Sequence, residues 1–142
     1  MSLQKFSGSV LWLVNYSKWL IRIAAVYSLI GALIGADMAG RYDYSLTPAH
    51  AHILVVGWLT LFVYGMFYYI FKEISMLKIA KLHVWCSIIG GGLMPFGMLL
   101  YYKMQNTATL LSFILPACVL LVAIALFVVL LFFDKKLFRA NN

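Results

Sequence analysis

Four long apolar stretches constrain this chain more than any other feature of its sequence. They run over about residues 19–40, 48–71, 82–102 and 108–133, and each is as long as the roughly 20 residues that a helix needs to cross a bilayer. Apolar residues make up 65% of the 142 positions and charged residues 11%, against roughly half and a quarter in soluble domains. The sequence therefore predicts one all-α integral membrane domain over 1–142, a four-transmembrane-helix bundle.

The first 18 residues differ from these stretches because polar and aromatic side chains interrupt their apolar run. Lys5, Trp12, Tyr16 and Lys18 all fall within it. Amphipathic segments of this kind commonly lie in the plane of the membrane interface. We therefore expect a short N-terminal interfacial segment before the first span.

The basic residues are distributed unevenly between the two sides of the predicted bundle. Nine of the eleven Lys and Arg residues fall on the side of both termini, and such an excess marks the cytoplasmic side. The sequence thus predicts a multi-pass protein of the inner (cytoplasmic) membrane with both termini cytoplasmic. Because these charges sit at helix ends rather than on one exposed face, we expect no nucleic-acid partner. The nine are Lys5, Lys18, Arg22, Lys72, Lys78, Lys81, Lys135, Lys136 and Arg139, and the other two are Arg41 and Lys103.

Glycines in the first and third spans indicate close helix packing. Gly31 and Gly35 form a GxxxG element in the first span, and the third carries Gly90, Gly91, Gly92 and Gly97. Small residues at these spacings let neighbouring helix backbones approach each other in a membrane.

Two histidines at the start of the second span are the main candidates for chemistry. Thr47 is a plausible N-cap and Pro48 suits the first helical position, which places His50 and His52 in the first two turns. Polar side chains at this depth are costly and tend to face a site. Positions two apart on a helix point about 200° apart, so one helix cannot place both on the two faces of one haem. Either one histidine is a ligand and the other a bystander, or the two serve different sites.

Other side chains near these histidines are candidate cofactor contacts. Gly57, two turns below His50, leaves a gap where a flat ring could lie, and Trp58 could contact that ring. Asp37 and Arg41 are four apart and are expected to form an ion pair. Arg41 could instead hold a haem propionate.

The stretch TPAHAHILVVGWLTLFVYGMFYY, residues 47–69, resembles the second helix of subunit I of the haem-copper oxidase and nitric oxide reductase superfamily. A weaker resemblance extends over about residues 19–102. In that family a histidine in this place binds the low-spin haem, so the resemblance implies a haem ligand at this helix start.

The sequence also departs from that family. An oxidase core has twelve helices and several further histidines for copper, whereas this chain has four spans and three histidines, His50, His52 and His83. His83 begins the third span about 30 Å from the other two by helix rise, and we expect it at the interface beside Lys78 and Lys81. The alternative is a role in quinone binding or proton transfer. The chain cannot be an oxidase by itself.

These observations lead to a specific expectation. The chain is expected to hold b-type haem non-covalently through His50 and His52 and to transfer electrons to a quinone or redox protein. In a closed ring of copies, which we guess to be a homotrimer, His50 of one chain and His52 of the next could bind one haem. The alternatives are a haem-based gas sensor with an open iron site and a copper-binding or oxidase-assembly protein, since imidazole also suits copper.

Overall fold

The structure, a computed structural model, describes the backbone of residues 3–133 and the side chains of residues 16–132. Its long helices are α1 (Leu3–Arg41), α2 (Thr47–Ile70), α3 (Lys78–Met104) and α4 (Thr107–Phe133). All four are long and apolar enough to cross a membrane, which confirms the predicted number of spans. The fold is therefore that of a multi-pass, all-helical membrane protein.

Helix α2 changes its winding along its length. An α-helical first turn, Thr47–His52, leads into a π-helix, Ile53–Thr60, and the helix is α-helical again over Leu61–Ile70. The Thr60 hydroxyl donates a hydrogen bond of 2.8 Å to the carbonyl of Val55, five residues earlier. Since a π-helix turns less per residue than an α-helix, side chains after Thr60 do not keep the direction that α-helical spacing predicts.

Contacts along the α1–α2 pair define an antiparallel register. At one end the Ser17 hydroxyl donates to the Gly65 carbonyl at 2.7 Å. At the other end the imidazole of His50 lies on Gly35. Ser17 is therefore level with Gly65, five residues before the last residue of α2, Ile70. This level is about 8 Å inside the Ile70 end of the helix.

This register places Ser17, at the end of the predicted interfacial segment, inside the bundle. Helix α1 is continuous from Leu3, and Ser17 is buried against α2 rather than placed beside the bundle. A polar side chain with a backbone carbonyl to bond can be accommodated inside the bundle, which composition alone did not reveal. Lys5 and Trp12 were also part of that prediction, and their side chains lie outside the described residues.

The glycines act as predicted in one helix and differently in another. A Cβ on Gly90 would lie 2.5 Å from the backbone nitrogen of Leu120, and one on Gly97 would collide with the Ser112 carbonyl. The backbones of α3 and α4 therefore touch at two points seven residues apart. In α1, by contrast, Gly31 faces side chains of α2, so the GxxxG element accommodates side chains rather than a second backbone.

Short connections join the helices. In the loop after α1, the backbone N–H of Ser45 donates to the Asp43 carboxylate at 3.0 Å. This bond, with one from the Ser45 side chain, lowers the pKa of Asp43. Between α2 and α3, Ile74 of a short 3-10 turn is buried in the core. Gln105 ends α3 in a left-handed conformation, with φ of 45°.

Candidate functional site

The start of α2 positions both candidate histidines. The helix begins at Thr47, but its hydroxyl bonds back to the Tyr44 carbonyl at 2.7 Å, and Leu46 is the N-cap residue. The prediction that Thr47 caps the helix is therefore wrong by one position. Pro48 lies in the first turn, as predicted, where a missing N–H costs no intrahelical bond.

The ring of His52 is held in a defined orientation. Its Nδ1 atom lies 2.8 Å from the carbonyl oxygen of Pro48 one turn earlier. A carbonyl can only accept, so this contact requires the proton on Nδ1 and leaves the lone pair on Nε2. Metal-bound histidines commonly have this arrangement, in which a hydrogen bond on one ring nitrogen fixes the tautomer and orients the other toward the metal. His52 is half-buried and is suited to bind a metal through Nε2.

His50 has a different environment on the opposite flank of the helix. Its ring lies against α1, with Cε1 2.8 Å from the place that a Cβ of Gly35 would take. Its Nδ1 is buried and has no hydrogen-bond partner among the described residues. A buried polar atom without a partner destabilises the fold by about 1–3 kcal/mol. Such an atom is an observation in favour of a group that the chain itself does not provide.

The two histidines do not form a metal site on their own. In the part of the chain that the structure describes, no three His, Cys, Asp or Glu side chains come together as a metal-binding group. A closed four-coordinate site within one chain would need such a group. A haem needs only one or two axial nitrogens, so the residues present fit haem better than a closed metal site.

The other predicted cofactor contacts lie in three separate surroundings. The gap at Gly57 is filled, because the ring of Tyr27 from α1 covers it. Trp58 is 42% exposed on the outside of the bundle. Arg41 forms the predicted ion pair with Asp37, with 2.7 Å between Nε and Oδ1. Gly57 is therefore not open to a flat ring, whereas Trp58 and Arg41 are both exposed.

Side chains further along α2 face different helices. His50 and Gly57 face α1, but Leu61 packs on Gly91 of α3. Tyr64 likewise contacts α3, with its ring centroid 4.5 Å from that of His83. The π-helical segment, Ile53–Thr60, explains the difference, because its smaller turn per residue changes the direction of the side chains that follow it.

His83 is not at the interface, which corrects the sequence prediction. It is 0% exposed and lies in the core near the α2–α3 loop. Its Nδ1 is 2.7 Å from the Tyr68 hydroxyl, and its Nε2 is 3.2 Å from the Ser87 hydroxyl, which in turn bonds to the His83 carbonyl at 2.8 Å. Phe127 of α4 stacks on the His83 ring, with the two ring centroids 5.3 Å apart. The prediction relied on the neighbouring Lys78 and Lys81, but these lysines are exposed on the opposite flank of the same helix.

These hydrogen bonds define one consistent proton arrangement for His83. The Ser87 hydroxyl donates to the backbone carbonyl, so its oxygen accepts from Nε2–H, and Nδ1 accepts from the Tyr68 hydroxyl. Both ring nitrogens are thereby satisfied in the neutral form. His83 has no lone pair left for a metal.

Sequence reasoning missed Tyr27, which connects three helices. Its ring covers Gly57 of α2, and its hydroxyl donates to the Gly92 carbonyl of α3. The ring also packs on Phe96, with centroids 5.4 Å apart. No local signal distinguishes Tyr27 from the other tyrosines. The Ser87 contact of His83, by contrast, could be inferred from spacing, since residues four apart are neighbours on a helix.

The fold and these contacts describe a multi-pass membrane protein whose half-buried histidines lie at one end of the bundle. Comparison with protein-family models, with curated proteins and with solved structures finds no match to this chain.

Proposed function

We propose that the chain is a membrane protein that binds b-type haem through His50 and His52 and transfers electrons. The observation that carries the proposal is the state of the two rings at the start of α2. The Pro48 carbonyl orients the His52 ring through Nδ1, so Nε2 does not take part in that hydrogen bond. The Nδ1 of His50 is buried and has no partner in the described part of the chain. The resemblance of residues 47–69 to a haem-binding helix supports the same assignment.

The ligand geometry supports a haem shared between copies. His50 lies on the α1 side, whereas the His52 ring is bonded back to its own helix, so the two cannot reach opposite faces of one haem. Each chain then provides two half-sites, and His50 of one copy and His52 of the next complete a haem in a closed ring. We propose a homotrimer.

The surface of α1 offers room for such contacts. Ser28, Ala32 and Ala36 follow one another at intervals of four residues, and the last two are exposed. Stripes of small residues allow close helix contacts in membranes.

Bound haem would supply one-electron oxidation and reduction. With His50 and His52 both as ligands, the protein would leave no coordination site for oxygen or nitric oxide, which favours electron transfer. The carbonyl of Pro48 would keep His52 in the required tautomer. The electron partner is proposed to be a quinone or a redox protein.

An absorption spectrum tests the haem assignment. Protein purified in mild detergent from haem-sufficient cells should give a reduced-minus-oxidised b-type spectrum. His50→Ala and His52→Ala should each lose or alter it, because loss of an axial ligand weakens binding by at least about tenfold. The conservative control His83→Gln should keep it. A colourless wild-type protein that binds copper instead would overturn haem in favour of the copper-handling alternative.

Two further measurements test the form of the site. Carbon monoxide should not bind to the reduced protein, since binding would indicate an open iron and a gas sensor. Co-expressed His50→Ala and His52→Ala chains should regain part of the wild-type spectrum, because some interfaces of mixed rings have both ligands. A haem-loaded bis-histidine monomer would exclude the shared site.

The orientation in the membrane is also proposed from charge. The nine basic residues on the side of the termini favour a cytoplasmic placement of both ends, with His50 and His52 near the outer face of the inner membrane. A reporter fused in the loop at Asp43 should be extracytoplasmic. A cytoplasmic signal from that loop would reverse the topology.

A further inference from the structure

Five exposed basic side chains surround the end of the bundle that carries the α2–α3 loop. We name them the basic collar: Lys18, Arg22, Lys72, Lys78 and Lys81. Glu73 is the acidic residue among them, so the described side chains at this end carry five positive charges and one negative. At the other end, Arg41 and Lys103 are balanced by Asp37 and Asp43.

Two residues of the basic collar, Lys18 and Arg22, lie further along the bundle axis toward its centre than the end of α2. Lys18 follows Ser17, which is bonded to Gly65, and Gly65 is five residues before Ile70. Lys18 is therefore about 9 Å inside the end of α2 at Ile70, along the helix axis. Arg22, one turn further along α1, is about 6 Å deeper again.

Both deeper cations face outward. Lys18 and Arg22 are exposed and lie four residues apart on one face of α1, next to Trp19, which is 56% exposed. The salt bridge found in the described part of the chain, Arg41 to Asp37, is at the other end of the bundle. Among the described residues, neither cation is therefore paired with a carboxylate, and both lie on the outer surface of the bundle.

A cation that faces lipid below the membrane surface requires an anion within reach. Lys and Arg side chains extend along apolar surface and carry their charged groups toward the headgroups. The phosphates of the lipid headgroups are the anions at that level. Lys72, Lys78 and Lys81 lie higher, where the negative potential of an anionic leaflet attracts basic residues.

We propose that the basic collar binds the phosphate headgroups of anionic phospholipids. Lys18 and Arg22 reach the phosphates from below, and the three loop lysines approach them from the aqueous side. The proposal does not depend on haem, since His50 and His52 lie at the opposite end of the bundle.

A titration of the full chain with two lipids tests this proposal. Phosphatidylglycerol and phosphatidylcholine with the same acyl chains are added to the protein in detergent, and bound lipid is counted by native mass spectrometry. Wild-type protein should bind phosphatidylglycerol more tightly. Arg22→Gln should weaken that binding about fivefold and Lys18→Gln with Arg22→Gln about 25-fold, from the contribution of each basic residue near an anionic surface.

Matched variants keep the test specific. Lys103→Gln removes one exposed lysine at the other end of the bundle and should leave the preference unchanged. Arg22→Lys keeps the charge and should retain the preference. Lys72→Gln with Lys78→Gln changes only exposed side chains, so it reports on the collar if the α1 variants fail to fold.

Three outcomes would overturn the proposal. The first is equal affinity of the wild-type protein for both lipids. The second is an unchanged preference in the Lys18 and Arg22 double variant. The third is an Arg22-dependent dimer without lipid selectivity, which would assign this surface to a second copy of the chain.

Discussion

The histidines near the two ends of helix α2 differ in their hydrogen bonding. Near the loop end, His83 of α3 is fully buried, and both of its ring nitrogens have partners. At the other end, His50 has a buried nitrogen without a partner among the described residues, and His52 has one nitrogen bonded to a carbonyl. A histidine with complete hydrogen bonding stabilises the fold, whereas one with an open nitrogen can bind a ligand. Burial alone does not separate these roles.

The largest expected effect is on stability at the closed end. His83→Ala removes a buried ring and leaves the Tyr68 and Ser87 hydroxyls without their partner. The free energy of unfolding should therefore fall by about 2–4 kcal/mol. Most of this should come from the cavity, since hydrogen bonds between membrane helices contribute only about 0.6 kcal/mol on average. Reversible unfolding in mixed micelles measures the change.

A second substitution at the same position separates packing from hydrogen bonding. His83→Phe should recover more than half of that loss, because it refills the volume without the polar contacts. If His83→Phe were as unstable as His83→Ala, the hydrogen bonds would be the main contribution. If His83→Gln abolished haem, the comparison between the two ends would fail.

The next largest effect is expected on ligand binding at the open end. In Gly35→Ala the new methyl group would lie 2.8 Å from Cε1 of His50, closer than a real contact allows, so the imidazole must shift. Haem affinity should fall about tenfold, as expected when the support of a ligand is disturbed. A haem titration measures it.

Gly40→Ala is the matched control on the same helix. A Cβ at Gly40 meets nothing within 4 Å among the described residues, so haem affinity should stay unchanged while the helix gains up to about 1 kcal/mol. Equal haem affinity in Gly35→Ala and Gly40→Ala would argue against His50 as a ligand.

A smaller effect is expected at the point where three helices meet between the two ends. Tyr27→Phe keeps the ring over Gly57 and removes the hydroxyl that donates to the Gly92 carbonyl. The free energy of unfolding should fall by about 1 kcal/mol. Tyr42→Phe is the control, because Tyr42 is 83% exposed. A loss in Tyr42→Phe as large as in Tyr27→Phe would contradict the assigned contact.

The smallest stability effect concerns Arg41. Its ion pair with Asp37 is exposed, with side-chain exposures of 72% and 55%, so Arg41→Gln should change stability by less than about 1 kcal/mol. If Arg41 also holds a propionate, the haem spectrum or redox potential should shift while stability does not. An unchanged potential would limit Arg41 to its ion pair.

Much of the fold could be predicted from local sequence. The four apolar stretches correspond to helices of spanning length, Pro48 lies in the first turn of α2, and Asp37 pairs with Arg41. Each of these depends on residues close together in the chain. Apolar length, a missing N–H and a spacing of four residues act in the same way whatever the neighbouring helices are.

The tertiary structure decided what each of these residues contacts. His83 is buried because Tyr68, Ser87 and Phe127 surround it, and α3 sequence spacing could identify only Ser87. Tyr27 closes the gap that Gly57 appeared to open.

The candidate site shows the same division. The sequence by itself determined that His50 and His52 lie on different sides of one helix start, because residues two positions apart on a helix point about 200° apart. Only the packing of α1 against α2 decided that His50 lies on Gly35 with a buried nitrogen unpaired among the described residues. Hydrogen bonding of a side chain depends on which helices meet, and that is a property of the assembled bundle.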